Sequence, residues 1–211
     1  MKERKGRAAL CRVGARLAAR GLAPGTSGNL SLRLDDGALL LTPTNSSLGD
    51  LDPDALALIT PKGVHHGGAP PTKEQFLHAA LYAARPQATA IVHLHSTYAV
   101  AYACLRGLRA DDAMPAITPY SVMRLGRVAL VPYFRPGDPR LGTAVGAVAA
   151  GHHAVLLANH GPVVAGPSLE SAASAAEELE ETAKLLLIVR GSDVELLRDA
   201  DVEELRRMFP S

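Results

Sequence analysis

Apolar residues recur along the chain with two periods, and each change of period marks a new element. Leu10, Val13 and Leu17 fall at helical spacing with Arg7, Arg12, Arg16 and Arg20 among them, predicting an amphipathic helix that ends near Gly21. Leu30-Ser31-Leu32-Arg33-Leu34 alternates strictly, as a half-buried strand does, and Asp35-Asp36-Gly37 turns it into a returning strand, Ala38 to Leu41. Ala55 to Thr60 predicts another strand, reversed by Pro61-Lys62-Gly63. His65 and His66 then lie in a Gly- and Pro-bounded stretch, where solvated loop residues are expected. A helix is predicted to open at Pro70-Pro71-Thr72-Lys73-Glu74, with Thr72 as N-cap and Glu74 in the first turn, where a carboxylate suits the helix dipole. Phe76, Leu77, Ala80 and Leu81 form its apolar stripe, and Arg85-Pro86 ends it. His78, one turn beyond Glu74, reads as a packing or supporting residue.

The second half continues with an apolar run, Thr89 to His95, that reads as a central strand. Ser96-Thr97 caps an alanine-rich helix reaching about Leu105, and a linker carries Met114 to Tyr120. Arg127 to Tyr133 predicts a strand, and Phe134 to Asp138 turns it into a small-residue helix, Leu141 to Ala150. His152 and His153, just past that helix, are expected to serve its C-terminal dipole. Ala154 to Gly166 reads as a second buried strand bending at Gly161-Pro162, which leaves His160 near a strand end. Ser168 caps a long helix through Val189, with Glu177, Glu178, Glu180 and Glu181 on its wet side, and a last helix runs from Val194 to Met208. Strands and helices mix without a strict β-α-β rhythm, so helices packed on a mixed or antiparallel sheet, an α/β layered fold, fit best.

Composition narrows the function classes. A chain of 211 residues suits one domain, 1–211, with a core that needs no disulfide. Lys+Arg 22 against Asp+Glu 21 leaves no basic footprint, so nucleic acid is not expected as a partner. Cys11 and Cys104 lie in helix-like contexts without a C-x-x-C, which fits reduced thiols. The arginine-broken start is no signal peptide, and no apolar run approaches the roughly 20 residues of a membrane span. A soluble, cytoplasmic protein is the expectation.

Candidate chemistry centres on Ala90-Ile91-Val92-His93-Leu94-His95-Ser96. Side chains alternate across a strand, so His93 and His95 share one face. Two neutral imidazoles there either chelate one divalent cation or form a hydrogen-bonded core pair; a third ligand elsewhere would decide. Gly25-Thr26-Ser27-Gly28-Asn29 serves either as simple chain reversal or as a nest of backbone N–H groups that holds an anion. Thr42 to Ser47, short and polar, either wraps a phosphate or is an ordinary surface loop.

Taken together, Gly25-Thr26-Ser27-Gly28-Asn29-Leu30-Ser31, Thr42-Pro43-Thr44, a glutamate opening a helix at 74, His93-x-His95 and Asn159-His160-Gly161 resemble the class II aldolase/adducin family. The resemblance covers about residues 8 to 190. It implies a three-layer αβα fold around a mostly antiparallel sheet and a divalent ion, zinc or another such as Mn²⁺ or Co²⁺, held by His93, His95 and His160. It also implies Glu74 as the acid/base and a homotetramer with sites between subunits. Pro71-Thr72-Lys73-Glu74, His93-Leu94-His95-Ser96-Thr97-Tyr98, Thr118-Pro119-Tyr120, Arg135-Pro136-Gly137-Asp138-Pro139-Arg140 and Glu177 to Lys184 are most similar to one branch, the 3-oxo-tetronate 4-phosphate decarboxylases. Lys73 departs from the pair common in the aldolase and epimerase branches and favours a substrate with an extra anionic group. The expected reaction is then release of carbon dioxide to give dihydroxyacetone phosphate, with Glu74 or Tyr120 delivering a proton to carbon. The phosphate is expected at Gly28, Asn29, Thr44, Asn45, Thr72 and Lys73, and Arg124, Arg135 or Arg140 is expected to hold the carboxylate. An L-fuculose-phosphate-type aldolase or a ribulose-5-phosphate 4-epimerase is the alternative; a non-catalytic adducin-like domain is the alternative of another class.

Overall fold

The computed structural model describes residues 1–209. Helix α1 (Glu3–Ala19) leads into strands β1 (Asn29–Arg33), β2 (Leu39–Leu41), β3 (Ala57–Ile59) and β4 (His65–Gly67). Helix α2 (Gln75–Ala84), strand β5 (Ala90–His93), helices α3 (Thr97–Ala103) and α4 (Pro119–Leu125) and strand β6 (Val128–Val131) follow. The chain closes with α5 (Arg140–Ala149), β7 (Ala154–Leu157), β8 (Gly161–Gly166), α6 (Leu169–Ile188) and α7 (Asp199–Met208). Among the described residues the strands make one eight-stranded sheet ordered β4-β3-β2-β1-β5-β8-β7-β6. Its pairings are antiparallel except the parallel β6–β7 pair at one edge.

Period-two alternation divides the sheet's side chains between two cores. On one face Leu30, Leu32, Ala90, Val92 and Leu94 pack with Leu10, Val13 and Leu17 of α1 and with Ala172, Ala176 and Leu179 of α6. On the other, Ile91, Val155 and Val163 pack with Leu77 and Leu81 of α2 and Leu141 and Val145 of α5. Three layers, helix, sheet and helix, are the result, as the resemblance implies. No helix of the described residues is long and apolar enough to cross a membrane.

Several elements differ from the sequence reading. The expected single strand from Ala154 to Gly166 is a hairpin, because Asn159 takes a left-handed backbone (φ 57) and Gly161 an open one (φ 149), which reverses the chain between β7 and β8. The strand expected over Ala55 to Thr60 is confined to β3, since Pro53–Ala55 closes a 3₁₀ turn capped by the Asp52 carboxylate. His65 and His66 form the short edge strand β4 rather than a loop, although both stay exposed. The helix expected from Pro70 to Glu74 begins at Gln75. Thr72 still acts locally, its Oγ1 accepting the Glu74 N–H at 3.2 Å, while Glu74 stands at the cap position. The last helix starts at Asp199, not Val194, and the linker before Tyr120 already turns helical at Pro119.

Glu180 is the misplaced acid. It is buried rather than wet, and its carboxylate accepts the N–H groups of Tyr98 (2.9 Å) and Ala99 (2.7 Å), capping the first turn of α3. His152 does serve the α5 terminus, bonding the Val148 carbonyl through Nδ1 at 3.0 Å. His153 does not: its Nε2 donates to the Arg124 carbonyl at 3.0 Å, tying β7 to α4.

Candidate metal centre

The centre is built where β5 leaves the sheet. His93 is the last residue of β5, paired with Asn29 of β1 on one side and Val163 of β8 on the other, and is fully buried. His95 follows beyond the pairing, on the same face. The β7–β8 turn brings in His160, held by its own N–H to the Leu157 carbonyl (3.1 Å) and by that of Asn159 to Ala103 (3.2 Å). Gly161 allows the approach, since a Cβ there would stand 2.3 Å from the Leu94 carbonyl oxygen. Glu74 arrives from the start of α2.

Their ligand atoms converge. His93 and His95 Nε2 lie 3.0 Å apart and His95 and His160 Nε2 3.1 Å apart. Glu74 places Oε2 at 3.3 Å from His93 Nε2 and Oε1 at 3.3 Å from His160 Nε2. All four groups offer a ligand atom within 4.8 Å of one another. The tautomer of His93 is set by its far nitrogen: Nδ1 donates to the Pro162 carbonyl at 2.8 Å, so Nε2 presents a lone pair to the cluster. Imidazole lone pairs facing one another beside a carboxylate repel unless a proton or a cation stands among them. Donors about 2.0–2.1 Å from a tetrahedral cation are roughly 3.3 Å apart, close to the spacings here. The donor set, three nitrogens and one oxygen, therefore fits a zinc-like divalent ion.

Electrostatics agree with that use. Burial alone would raise the Glu74 carboxyl, but where protons rather than a cation stand among the imidazoles, the charge at His93 and hydrogen bonds from His160, His93 and Asn29 outweigh it and hold the group well below the usual carboxylate range. His95 is pushed down to about 4, first by burial and then by the neighbouring imidazoles, so its ring is neutral near pH 7 and can donate a lone pair.

Beside the four groups opens a cleft of about 330 Å³, and Gly28, Asn29, Thr44, Asn45, Thr72 and Lys73 all line it. Gly28 (φ 77) and Asn45 (φ 58) have left-handed backbones that turn their loops toward the cleft. A Cβ on Gly28 would come within 2.9 Å of the His93 carbonyl oxygen. Pro136 and Gly137 add a wall that the sequence reading missed. Tyr120 is not in this cleft of its own chain: it is exposed on α4, with the Arg124 guanidinium 5.9 Å from its ring centre. Arg140 is spent on Asp138, its Nη2 donating at 2.7 Å.

Behind Glu74 stands the supporting residue expected at His78, although its partners Asn29 and Ser31 were not foreseen in that role. Asn29 Nδ2 donates to Glu74 Oε2 at 2.8 Å, and His78, fully buried, binds Asn29 and Ser31. The signal was present in Glu74-x-x-x-His78, whose spacing stacks both residues on one side of a helix start.

A three-layer αβα domain carrying three histidines and a glutamate around one cation-sized point is the class of protein that fold and site define. The chain belongs to the class II aldolase and adducin N-terminal domain family, whose model matches residues 8–187. It is 49% identical over 203 residues to the 3-oxo-tetronate 4-phosphate decarboxylase of Pectobacterium atrosepticum, covering 96% of this chain and 93% of that one. The L-fuculose phosphate aldolase of Haemophilus influenzae is 33% identical, with 90% of this chain and 86% of that one covered. The crystal structure of YgbL from Escherichia coli superposes with a TM-score of 0.94 at 46% identity, covering 97% of this chain and 99% of that one.

Proposed function

We propose that the whole chain, 1–211, is one cytoplasmic enzyme unit that decarboxylates a 3-oxo-tetronate 4-phosphate to dihydroxyacetone phosphate. The observation that carries the reading is the meeting of His93, His95, His160 and Glu74 beside a cleft that Glu74, His95 and His160 line together with Lys73 and the Gly28-Asn29 loop. The substrate class rests on likeness to the relatives of that name.

The chemistry needs an electron sink and a proton. In such a substrate the ketone lies β to the carboxylate, so breaking the carbon–carboxylate bond releases carbon dioxide and leaves an electron pair that the ketone receives as an enediolate. A divalent cation, zinc or a similar Mn²⁺ or Co²⁺, held by His93, His95 and His160 would supply positive charge where that negative charge gathers. Glu74 carries a proton from solvent to the carbon that has lost carbon dioxide, which restores the ketone. Because the Asn29 amide already occupies Oε2, the proton in transit rides on Oε1. The phosphate sits against Gly28, Asn29, Thr44, Asn45, Thr72 and Lys73, fixing the reacting end over the histidines. Tyr120, outside its own cleft, serves that of a neighbouring copy in a homotetramer, and Arg135, the sequence neighbour of the Pro136-Gly137 wall, is the arginine proposed for the carboxylate.

Incubating the purified protein with zinc and each phosphorylated candidate separates the readings. Carbon dioxide from the oxo-tetronate phosphate is expected; aldehyde from a sugar phosphate, with no carbon dioxide, overturns the decarboxylase reading in favour of an aldolase, the reading that the similarity to the L-fuculose phosphate aldolase supports.

A further inference from the structure

Behind Glu74 and Asn29 runs a line of buried side chains, His78, Ser31 and Tyr82, that the proposed reaction does not touch. Asn29, Ser31, His78 and Tyr82 are each at most 5% exposed. Distances from the carboxylate outward are 2.8 Å from Glu74 Oε2 to Asn29 Nδ2, 2.5 Å from Asn29 Oδ1 to His78 Nε2, and 2.7 Å from His78 Nδ1 to Ser31 Oγ. The last link, Ser31 Oγ to Tyr82 Oη, is 2.9 Å.

The hydrogens along this line have one consistent arrangement. An ionised carboxylate only accepts, so the Asn29 group facing it is the amide NH₂ and Oδ1 faces His78. Oδ1 can only accept, so His78 carries its proton on Nε2, leaving Nδ1 a bare lone pair. Ser31 must then give its single hydrogen to Nδ1, and its oxygen takes the hydrogen of Tyr82. That bond outcompetes the 3.4 Å alternative from Tyr82 to the Thr89 carbonyl. Each donor points toward Glu74, and donors aligned in series strengthen one another.

We infer that His78, with Ser31 and Tyr82 behind it, is a positioning residue: it locks the Asn29 amide so that Oε2 is always engaged and Oε1 is left to carry the proton. The same lock holds Asn29 beside Gly28, so the loop that edges the cleft and the acid/base group are set by one line of hydrogen bonds. This deepens the proposed function and rests on Glu74 being its acid/base.

Two measurements test it. Long-range proton–nitrogen NMR of the intact protein, with rings assigned by histidine substitution, reads the tautomer without turnover: wild type should show His78 protonated on Nε2 alone, and Asn29→Ala, which removes the acceptor that fixes that proton, a mixture of both forms. A wild-type His78 protonated on Nδ1 overturns the relay whatever the activity. In steady-state decarboxylation, Ser31→Ala should lower kcat about tenfold, in the range found for groups that orient a catalytic side chain, with KM within about twofold and bound zinc unchanged. His78→Gln, which keeps a donor for Asn29, should retain more kcat than His78→Leu. Equal loss in the two, or wild-type kcat in a folded Ser31→Ala, removes the positioning role. A wild-type enzyme without decarboxylation but with the Nε2 tautomer would instead sink the functional reading and leave the hydrogen-bond line standing.

Discussion

On the proposed reading Glu74 has two tasks that substitution can separate, because its carboxylate both borders the imidazoles and faces the cleft. Glu74→Gln keeps shape and loses proton transfer, so zinc content should stay near wild type while turnover falls by about 10²–10⁴, the usual share of general acid–base catalysis. Atomic absorption alongside carbon dioxide release checks both halves; unchanged turnover removes the role. His95→Ala should do the reverse, losing bound metal first, since His95 is the member whose Nε2 meets both other imidazoles. At Gly28 the argument is steric. A Gly28→Ala methyl would press on the His93 carbonyl at a φ of 77, so a cost of about 1–3 kcal/mol and a raised substrate KM are expected together in urea titration and kinetics.

Among the elements, the β7–β8 hairpin decides whether the centre exists at all. Gly161→Ala should displace the turn that carries His160, because its Cβ would clash with the Leu94 backbone; loss of zinc binding greater than loss of helicity is the outcome expected from metal analysis and circular dichroism. This turn was also the least legible element in the sequence. Ala154 to Gly166 is apolar nearly throughout, and a run buried on both sides gives no alternation to show where one strand stops. What reversed it was the left-handed backbone of Asn159, which a lone asparagine does not announce. By contrast Leu30 to Leu34 and the α1 stripe were readable because one period ran uninterrupted through each, and Thr89 to His93 because its apolar run is short and ends at polar residues. His93-x-His95 was legible as a pair because residues two apart on a strand share a face. Its union with His160 and Glu74 came from resemblance, since nothing local brings residues 74, 93 and 160 together. Glu180 shows the opposite failure: an acid in an acidic helix looks solvated until a second helix start needs a cap.

For the whole molecule, His78 makes stability depend on pH. Burial lowers its pKa to about 3, against 6.5 in an unfolded chain, so between those values the unfolded state binds a proton that the folded state refuses. Stability is therefore full above about pH 6.5 and falls on acidification, by up to about 1.4 kcal/mol per pH unit from this group. Urea midpoints at pH 7.5 and 5.5 should show the decline, and His78→Gln should flatten it. A cation bound at the imidazoles would add stability of its own, which acid also removes by protonating its ligands. Zinc at a thousandfold its Kd would contribute about 4 kcal/mol, so chelation should lower Tm by about 10 °C.

The order of strands across the sheet has a consequence for synthesis. β5 lies between β1, made early, and β8, made more than a hundred residues later, and the point where the imidazoles meet is bounded by both. A ribosome-bound chain that has not yet released residue 166 lacks one wall of that point, however well its first helices have formed. If the centre takes up an ion as proposed, uptake is a late event in the life of each molecule, and fragments ending before β8 should hold zinc far more weakly than the whole chain.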